Sequence, residues 1–365
     1  MADNKNQHYV PRVHLRPFSL NGEGNAINLC NLDRLQAIPH APVKHQCSGD
    51  YFYGKDEKLE TAINTIENPY GDVVRHLLAD GAIGAPVDAV LRRFVYLQFL
   101  RTDAAARKAS EMTLALSDVP GSDLPRPAFR EGVKAAAQAM MRQYAKSMRV
   151  VDDLKLRIVR NRTDKPFVTS DNPAILTSRL HLQRIRRGTR SFSASSAGAI
   201  FVLPLSPTLL AILFDGDVYS ADHRSRWIDV DRKSDVEALN EQQFLNCMAN
   251  IYFHEWEGRE PIIDAARKAS PRRPATRHTI THAVLDETSD WGEHYVVRPI
   301  TDIRNGEKVL VHVVANNPVP GAWPSFLRFR PDAKAWSNDT GAGLQRRRCV
   351  EQGFVSGVGY RKIAV

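Results

Sequence analysis

The side chains with chemistry to offer are His8, Arg12, Arg16, Gln98, Arg101, Asp171, Asn172 and Asn240. A histidine beside an aspartate is a general acid–base pair, with the carboxylate holding the ring tautomer. An arginine next to them clamps a phosphate or steadies an oxyanion through paired N–H donors. On this reading His8 is the acid or base and Asp171 is its orienter or a metal ligand. Arg16 and Arg101 are phosphate contacts, and Arg12, Gln98, Asn172 and Asn240 complete the substrate side.

Each of these residues sits where the local pattern makes it awkward for packing alone. The stretch Gln7-His8-Tyr9-Val10-Pro11-Arg12-Val13-His14-Leu15-Arg16-Pro17-Phe18 is too rich in aromatic, apolar and proton-carrying side chains for a frayed end, so it is expected to dock into the body. Pro11 is placed at the first position of a short helix that Pro17 ends. A long helix is read from Pro86 to about Leu116. At roughly 100° per residue, Val87, Leu91 and Phe94 centre its apolar stripe, and Gln98 and Arg101 fall on that same stripe. A buried guanidinium needs a partner, either a bound anion or a carboxylate of the protein. Ser170-Asp171-Asn172-Pro173 follows a short strand, where polar groups serve either catalysis or the turn itself. Asn240 lies toward the buried side of a helix that Ser234 and Glu237 cap and that runs to about His254.

The elements around them read as α+β: a helix-rich body packed on a mixed or antiparallel sheet, with a small β-rich C-terminal appendage. Lys58–Ala79 is helical and broken or kinked at Pro69, and Ala128–Arg149 is an amphipathic helix. Ala197–Phe214 is uncharged, but Pro204, Ser206 and Pro207 at its centre favour two buried strands over a membrane span. Residues 1–260 form the main domain, 261–278 a basic linker and 279–365 the β-rich region. In that region His294–Arg298 and Lys308–Val314 read as a hairpin turned at Asn305-Gly306.

The chain has 365 residues, 43% apolar and 25% charged, as expected of a soluble globular protein. Four scattered cysteines and the absence of an apolar run in Met1–Asn6 point to a reducing, cytoplasmic setting. The net charge of +9 is concentrated in residues 179–190, 267–278 and 341–365, which together carry +14 on a body of −5. Such segments suit nucleic acid or are solvated loops. Cys30, His40, His45 and Cys47 match no usual zinc spacing, so no metal site is assigned, while a divalent metal stays open as a cofactor. Oligomeric state is not legible.

The opening Gln7-His8-Tyr9-Val10-Pro11 with Leu15-Arg16 and Phe18 resembles the start of a bacterial family known as domain of unknown function 4238. Gln98 with Arg101-Thr102, Ser170-Asp171-Asn172-Pro173 and Pro204-Leu205-Ser206-Pro207 match its later elements in order, over roughly residues 6–258. The resemblance supplies a grouping and no activity. Three functions are therefore weighed. The first is a nuclease-like hydrolase of phosphodiesters using His8, Asp171 and Arg101. The second is a non-catalytic module binding nucleic acid or protein, in which the same residues form a structural hydrogen-bond network. The third is an enzyme acting on a small anionic ligand, to which the basic loops are irrelevant. Against a metal-dependent nuclease stands the lack of a carboxylate cluster, and no P-loop, His-Glu-x-x-His or Gly-x-Ser-x-Gly pattern occurs.

Overall fold

The computed structural model describes residues 5–365 except 56, 124–125, 185–190, 222–224 and 291. Its centre is the apolar segment that lacks charge. β8 (Ile200–Pro204) and β9 (Leu209–Phe214) form an antiparallel pair, and every residue in them is buried. Successive side chains of a strand point to opposite faces, so both faces must be covered. Phe201, Leu203, Leu209, Ala211 and Leu213 pack with the helical layer, while Ile200, Val202, Leu210, Ile212 and Phe214 pack on the other side with Val236 and Leu239. A mixed sheet of five strands surrounds the pair, in the order β11 (Trp227–Val230), β5 (Lys155–Asn161), β9, β8, β7 (Ile175–Thr177). Only the β11–β5 pairing is parallel.

A second, antiparallel sheet runs β3 (Gln36–Pro42), β2 (Ala26–Asn31), β12 (Asn250–Phe253), β6 (Thr169–Ser170). The expected helix to His254 therefore ends earlier. α6 spans Lys233–Asn246, Cys247 is extended, and Ile251-Tyr252-Phe253 continue as strand, because their apolar side chains fill the gap between β2 and β6. Arg232, not Ser234, takes the N-cap position, with no side-chain cap, and Glu237 instead reaches Lys165.

The helical layer consists of α2 (Glu57–Leu78), α3 (Ala85–Arg101), α4 (Asp103–Ser117) and α5 (Phe129–Ser147). α2 runs through Pro69 without ending, since Ile63, Tyr70, Val73, Val74 and Leu77 stay buried on either side of it. The long helix read from Pro86 is two helices. Thr102 is extended, and its hydroxyl accepts from the Ala105 amide at 3.2 Å, so it caps α4 where α3 stops. Arg92 and Arg93 fall off the α3 apolar stripe, but neither floats in solvent. Arg92 pairs with Asp88 and donates to the Val151 and Leu154 carbonyls, and Arg93 pairs with Asp152 at 2.7 Å.

The C-terminal region is β-rich, with an order that differs from the hairpin reading. β13 (His278–Ser289) lies between β14 (Gly292–Val297) and β15 (Val309–Ala315), so the two strands flanking Asn305-Gly306 pair with β13 and not with each other. β17 (Lys334–Ser337) pairs with β18 (Arg361–Ala364), and β16 (Arg328–Phe329) pairs with β10 (Tyr219–Ser220) of the body. Leu327 and Ala335 enter the body's core. Residues read as a basic linker contain α7 (Arg259–Ala269), whose Ala266 and Ala269 are buried against Phe244 and Leu245 of α6. Among the described residues no helix is long and apolar enough to cross a membrane.

Thr102 also donates to the Asn172 side chain at 2.8 Å. Replacing it with Val removes the cap and this bond together, so Thr102→Val is expected to lower unfolding stability by about 1–2 kcal/mol, read from urea denaturation.

Candidate functional site: the clamp on the N-terminal strand

β1 (Asn6–His8) pairs with β4 (Ser48–Asp50), and the chain then turns into α1 (Arg12–Leu15), which Pro11 precedes as N-cap residue instead of leading it. Pro17 sits inside the 3-10 turn Arg16–Phe18 that follows. Val10, Leu15 and Phe18 are fully buried with Ile27 and Tyr252, so the opening stretch is docked as its composition demands.

α3 reads the docked backbone directly. Gln98 and Arg101 are three residues apart and share one helix face. Gln98 donates through Nε2 to the Tyr9 carbonyl at 2.9 Å, and Arg101 donates through Nη2 to the His8 carbonyl at 2.7 Å. The remaining Arg101 donors are also engaged. Nη1 pairs with Glu67 of α2, and Nε donates to the Tyr53 hydroxyl at 3.1 Å, which donates in turn to the Arg101 carbonyl at 2.9 Å. Burial works against the Arg101 charge, but Tyr53 and Glu67 more than offset it and hold the guanidinium protonated. Gln7 adds a two-way bond to the same loop, accepting from the Tyr53 amide at 2.7 Å and donating to the Gly54 carbonyl at 2.9 Å.

His14 fixes the next turn. Its two ring nitrogens lie 2.8 Å from the Tyr70 hydroxyl and 3.0 Å from that of Thr169, joining α1, α2 and β6. Burial drives its pKa from 6.5 down to about 3, so the ring is neutral in the folded protein.

The residues singled out from the sequence separate into three places. His8, Arg12 and Arg101 line one polar cleft of about 450 Å³, together with Glu67 and Arg75. There the His8 Nε2 is buried without a hydrogen-bond partner, and burial followed by the Arg12 charge lowers the ring's pKa. Asp171 is not in this cleft and makes no hydrogen bond to His8. Its carboxylate accepts from the amides of Met248, Ala249 and Asn250 at 2.7, 2.8 and 2.9 Å, closing the turn between α6 and β12. Asn172 accepts from Thr102 and donates to the Asn246 carbonyl at 3.0 Å. Asn240 satisfies the Val168 amide at 3.0 Å and the Pro166 carbonyl at 2.9 Å. Arg16 lies apart from all of these, donating to the Gly22 carbonyl at 3.1 Å. The carboxylate that meets the buried guanidinium is Glu67, which the sequence did not single out.

Among the described residues no group of three or more His, Cys, Asp or Glu is arranged to hold a metal ion. Of the weighed zinc set, Cys30 is buried in β2 and Cys47 shares a 3.2 Å hydrogen bond with Tyr252.

Removing one partner of the Arg101–Glu67 pair leaves a buried charge uncompensated. Glu67→Ala is expected to cost about 3–5 kcal/mol in urea unfolding, and Arg101→Met combined with Glu67→Gln to recover part of the loss. His14 sets a pH dependence. Its folded pKa lies below its unfolded value, so its contribution is complete above pH 6.5 and falls away as the pH drops toward about 3. Melting temperatures at pH 7.5 and 4.5 are expected to fall more steeply for the wild type than for His14→Gln.

Neither a curated protein nor a solved structure matches the chain. A family model does: residues 6–257, from β1 through the 3-10 turn before α7, match the family described as protein of unknown function (DUF4238), and the chain belongs to that family.

Proposed function

We propose that the chain is a non-catalytic module binding nucleic acid or protein, in which His8 and Arg101 belong to the structural hydrogen-bond network that docks the N-terminus and Asp171 to a separate one that closes the turn between α6 and β12. The observation that carries this is the engagement of both candidate ionic groups. Arg101 has every nitrogen bonded to Glu67, Tyr53 or the His8 carbonyl, and Asp171 receives three backbone amides. A phosphate clamp needs donors free for the substrate, and a catalytic dyad needs the base within hydrogen-bond reach of its orienter.

Several arginines of the basic segments are paired with acids. Arg267 pairs with Asp264, Arg272 with Glu241, Arg347 with Glu351 and Arg361 with Asp339, while Arg346 is buried 3.3 Å from Asp153. Arg179 and Arg184 lie over the Phe329 ring, and residues 185–190 of the first segment are outside the described residues. One observation favours the hydrolase reading: the free His8 Nε2 beside Arg12 and Glu67 in the cleft.

Incubating the pure protein with labelled RNA and DNA, with and without Mg²⁺ or Mn²⁺, separates the two. No cleavage is expected. Because His8 contributes its carbonyl to the clamp, His8→Ala is expected to fold with a loss of no more than about 1 kcal/mol, whereas Arg101→Met melts several degrees lower. Cleavage by the wild type that disappears in folded His8→Ala would overturn the proposal in favour of the hydrolase.

A further inference from the structure

The larger opportunity for a ligand lies on the other side of α3. A cavity of about 550 Å³ opens between α4, the end of α6, β7 and the chain at Arg273–Arg277, and its wall is mostly apolar. That volume is in the range of small-molecule sites, about 300–1,000 Å³. Two sets of residues that matched the family meet beside it. Asn172 lines the cavity and is bonded to Thr102, the residue at which α3 gives way to α4. Asp171 holds the amides of Met248–Asn250, and Arg273 donates to the Cys247 and Met248 carbonyls at 2.8 and 2.7 Å, so the Cys247-Met248 wall is fixed from both sides.

Charge distinguishes this cavity from ordinary imperfect packing. Ala104, Lys108 and Met112 are four residues apart, lie on one face of α4 and line the space. Lys108 is half-buried and makes no hydrogen bond or ion pair among the described residues. Arg277 also lines the cavity and lies near enough for its charge to act on Lys108, and its bonds go to the Ala104 carbonyl and the Met248 sulfur, neither of them an anion. Burial and the nearby Arg277 charge both disfavour the protonated form of Lys108. Glu111 and Asp103 lie near enough to favour the Arg277 charge, but neither is within ion-pair distance of Arg277 or Lys108: Asp103 pairs with Arg107 at 2.6 Å, and Glu111 lies 3.9 Å from the His278 ring. Two like charges brought together beside an apolar wall are unfavourable unless an anion joins them.

We propose that this cavity binds a small organic carboxylate with an apolar body, the carboxylate lying between Lys108 and Arg277 and the body against Phe99, Met112, Met140 and Leu176. The carboxylate then makes the direct contact with both cations that Glu111 and Asp103 do not make, and the body displaces water from the apolar wall. Methionines suit such a wall, because their flexible thioether chains adapt to ligands of differing shape. The site goes beyond the reading above and holds whether or not the chain also turns a substrate over.

The test is calorimetric titration of the full chain with octanoate, 1-octanol and octylamine. Octanoate is expected to bind saturably at one site, the alcohol about tenfold more weakly and the amine not at all. Lys108→Met and Arg277→Met are each expected to weaken octanoate about tenfold while leaving the alcohol unchanged, and Lys108→Arg to retain octanoate. Equal affinity for acid and alcohol, no saturable octanoate binding, or unchanged octanoate affinity in folded Lys108→Met would overturn the proposal. Should Lys108→Met fail to fold, Met112→Trp fills the cavity from α4. It is expected to abolish binding of both acid and alcohol, and octanoate binding retained by folded Met112→Trp would equally overturn it.

Discussion

A guanidinium taken out of water must have its donors answered by the protein, and the placement of Arg101 makes this the constraint on which the N-terminal half is built. Its partners come from three separate stretches: Glu67 from α2, Tyr53 from the loop before it and the His8 carbonyl from β1. None of the three can leave without exposing the buried charge to an unsatisfied environment, which costs several kcal/mol. Docking of the first strand, the position of α2 and the position of α3 are therefore one cooperative event. The bond to a backbone carbonyl also explains why a polar, His-bearing strand is held against a helix whose stripe is otherwise apolar.

Buried charged side chains also join distant segments at two other places. Asp171 is buried and receives three consecutive amides, so the turn from α6 into β12 depends on a residue of the strand turn more than seventy positions earlier. Arg346 is buried beside Asp153 and donates to the Val150 carbonyl, which fastens the C-terminal region onto the turn before β5. In each case a single ion stitches segments far apart in sequence. Burial raises the pKa of Asp171, with the three amides opposing it. Three amide donors to one carboxylate are the arrangement expected where an acid terminates a turn, not where it shuttles a proton.

Much of this architecture was legible and its partners were not. The helical period alone put Gln98 and Arg101 on the buried stripe with Val87, Leu91 and Phe94, and all five are buried. The uncharged stretch around Pro204 and Pro207 announced a buried strand pair, because prolines between two apolar runs fit a turn between strands better than the middle of a helix. Glu67 could not be chosen, since it is one of several acids on α2 and only the tertiary packing selects it. Asp171 was assigned to His8 because sequence lists side chains, whereas its actual partners are backbone amides that every residue carries. The helix predicted to His254 failed for a related reason: Ile251 and Phe253 suit a buried strand as well as a buried helix, and the vacancy beside β2 decides between them. β13 was overlooked because its alternation is filled with His, Thr and Asp in addition to aliphatic residues, which reads as a polar loop until its two neighbours are in place.

Charge is where local reading misleads most. Counting residues 267–278 and 341–365 as free basic patches assumes that neighbours in sequence are the only ones able to neutralise them. The partners are largely acids of the body or of the turn after β17, such as Glu241, Asp153 and Asp339. A mildly acidic body and basic segments are then two halves of one set of contacts, and the positive potential available to a ligand is smaller than the segment charges imply. What matters is cations the fold leaves without an ion-paired carboxylate in a low-dielectric setting. Lys108 and Arg277 meet that condition together, on a wall braced by Asn172 and Asp171. Of the residues that drew attention as catalytic, Asp171 is bound to the backbone amides beside that cavity, whereas His8 and Arg101 lie in the separate N-terminal cleft.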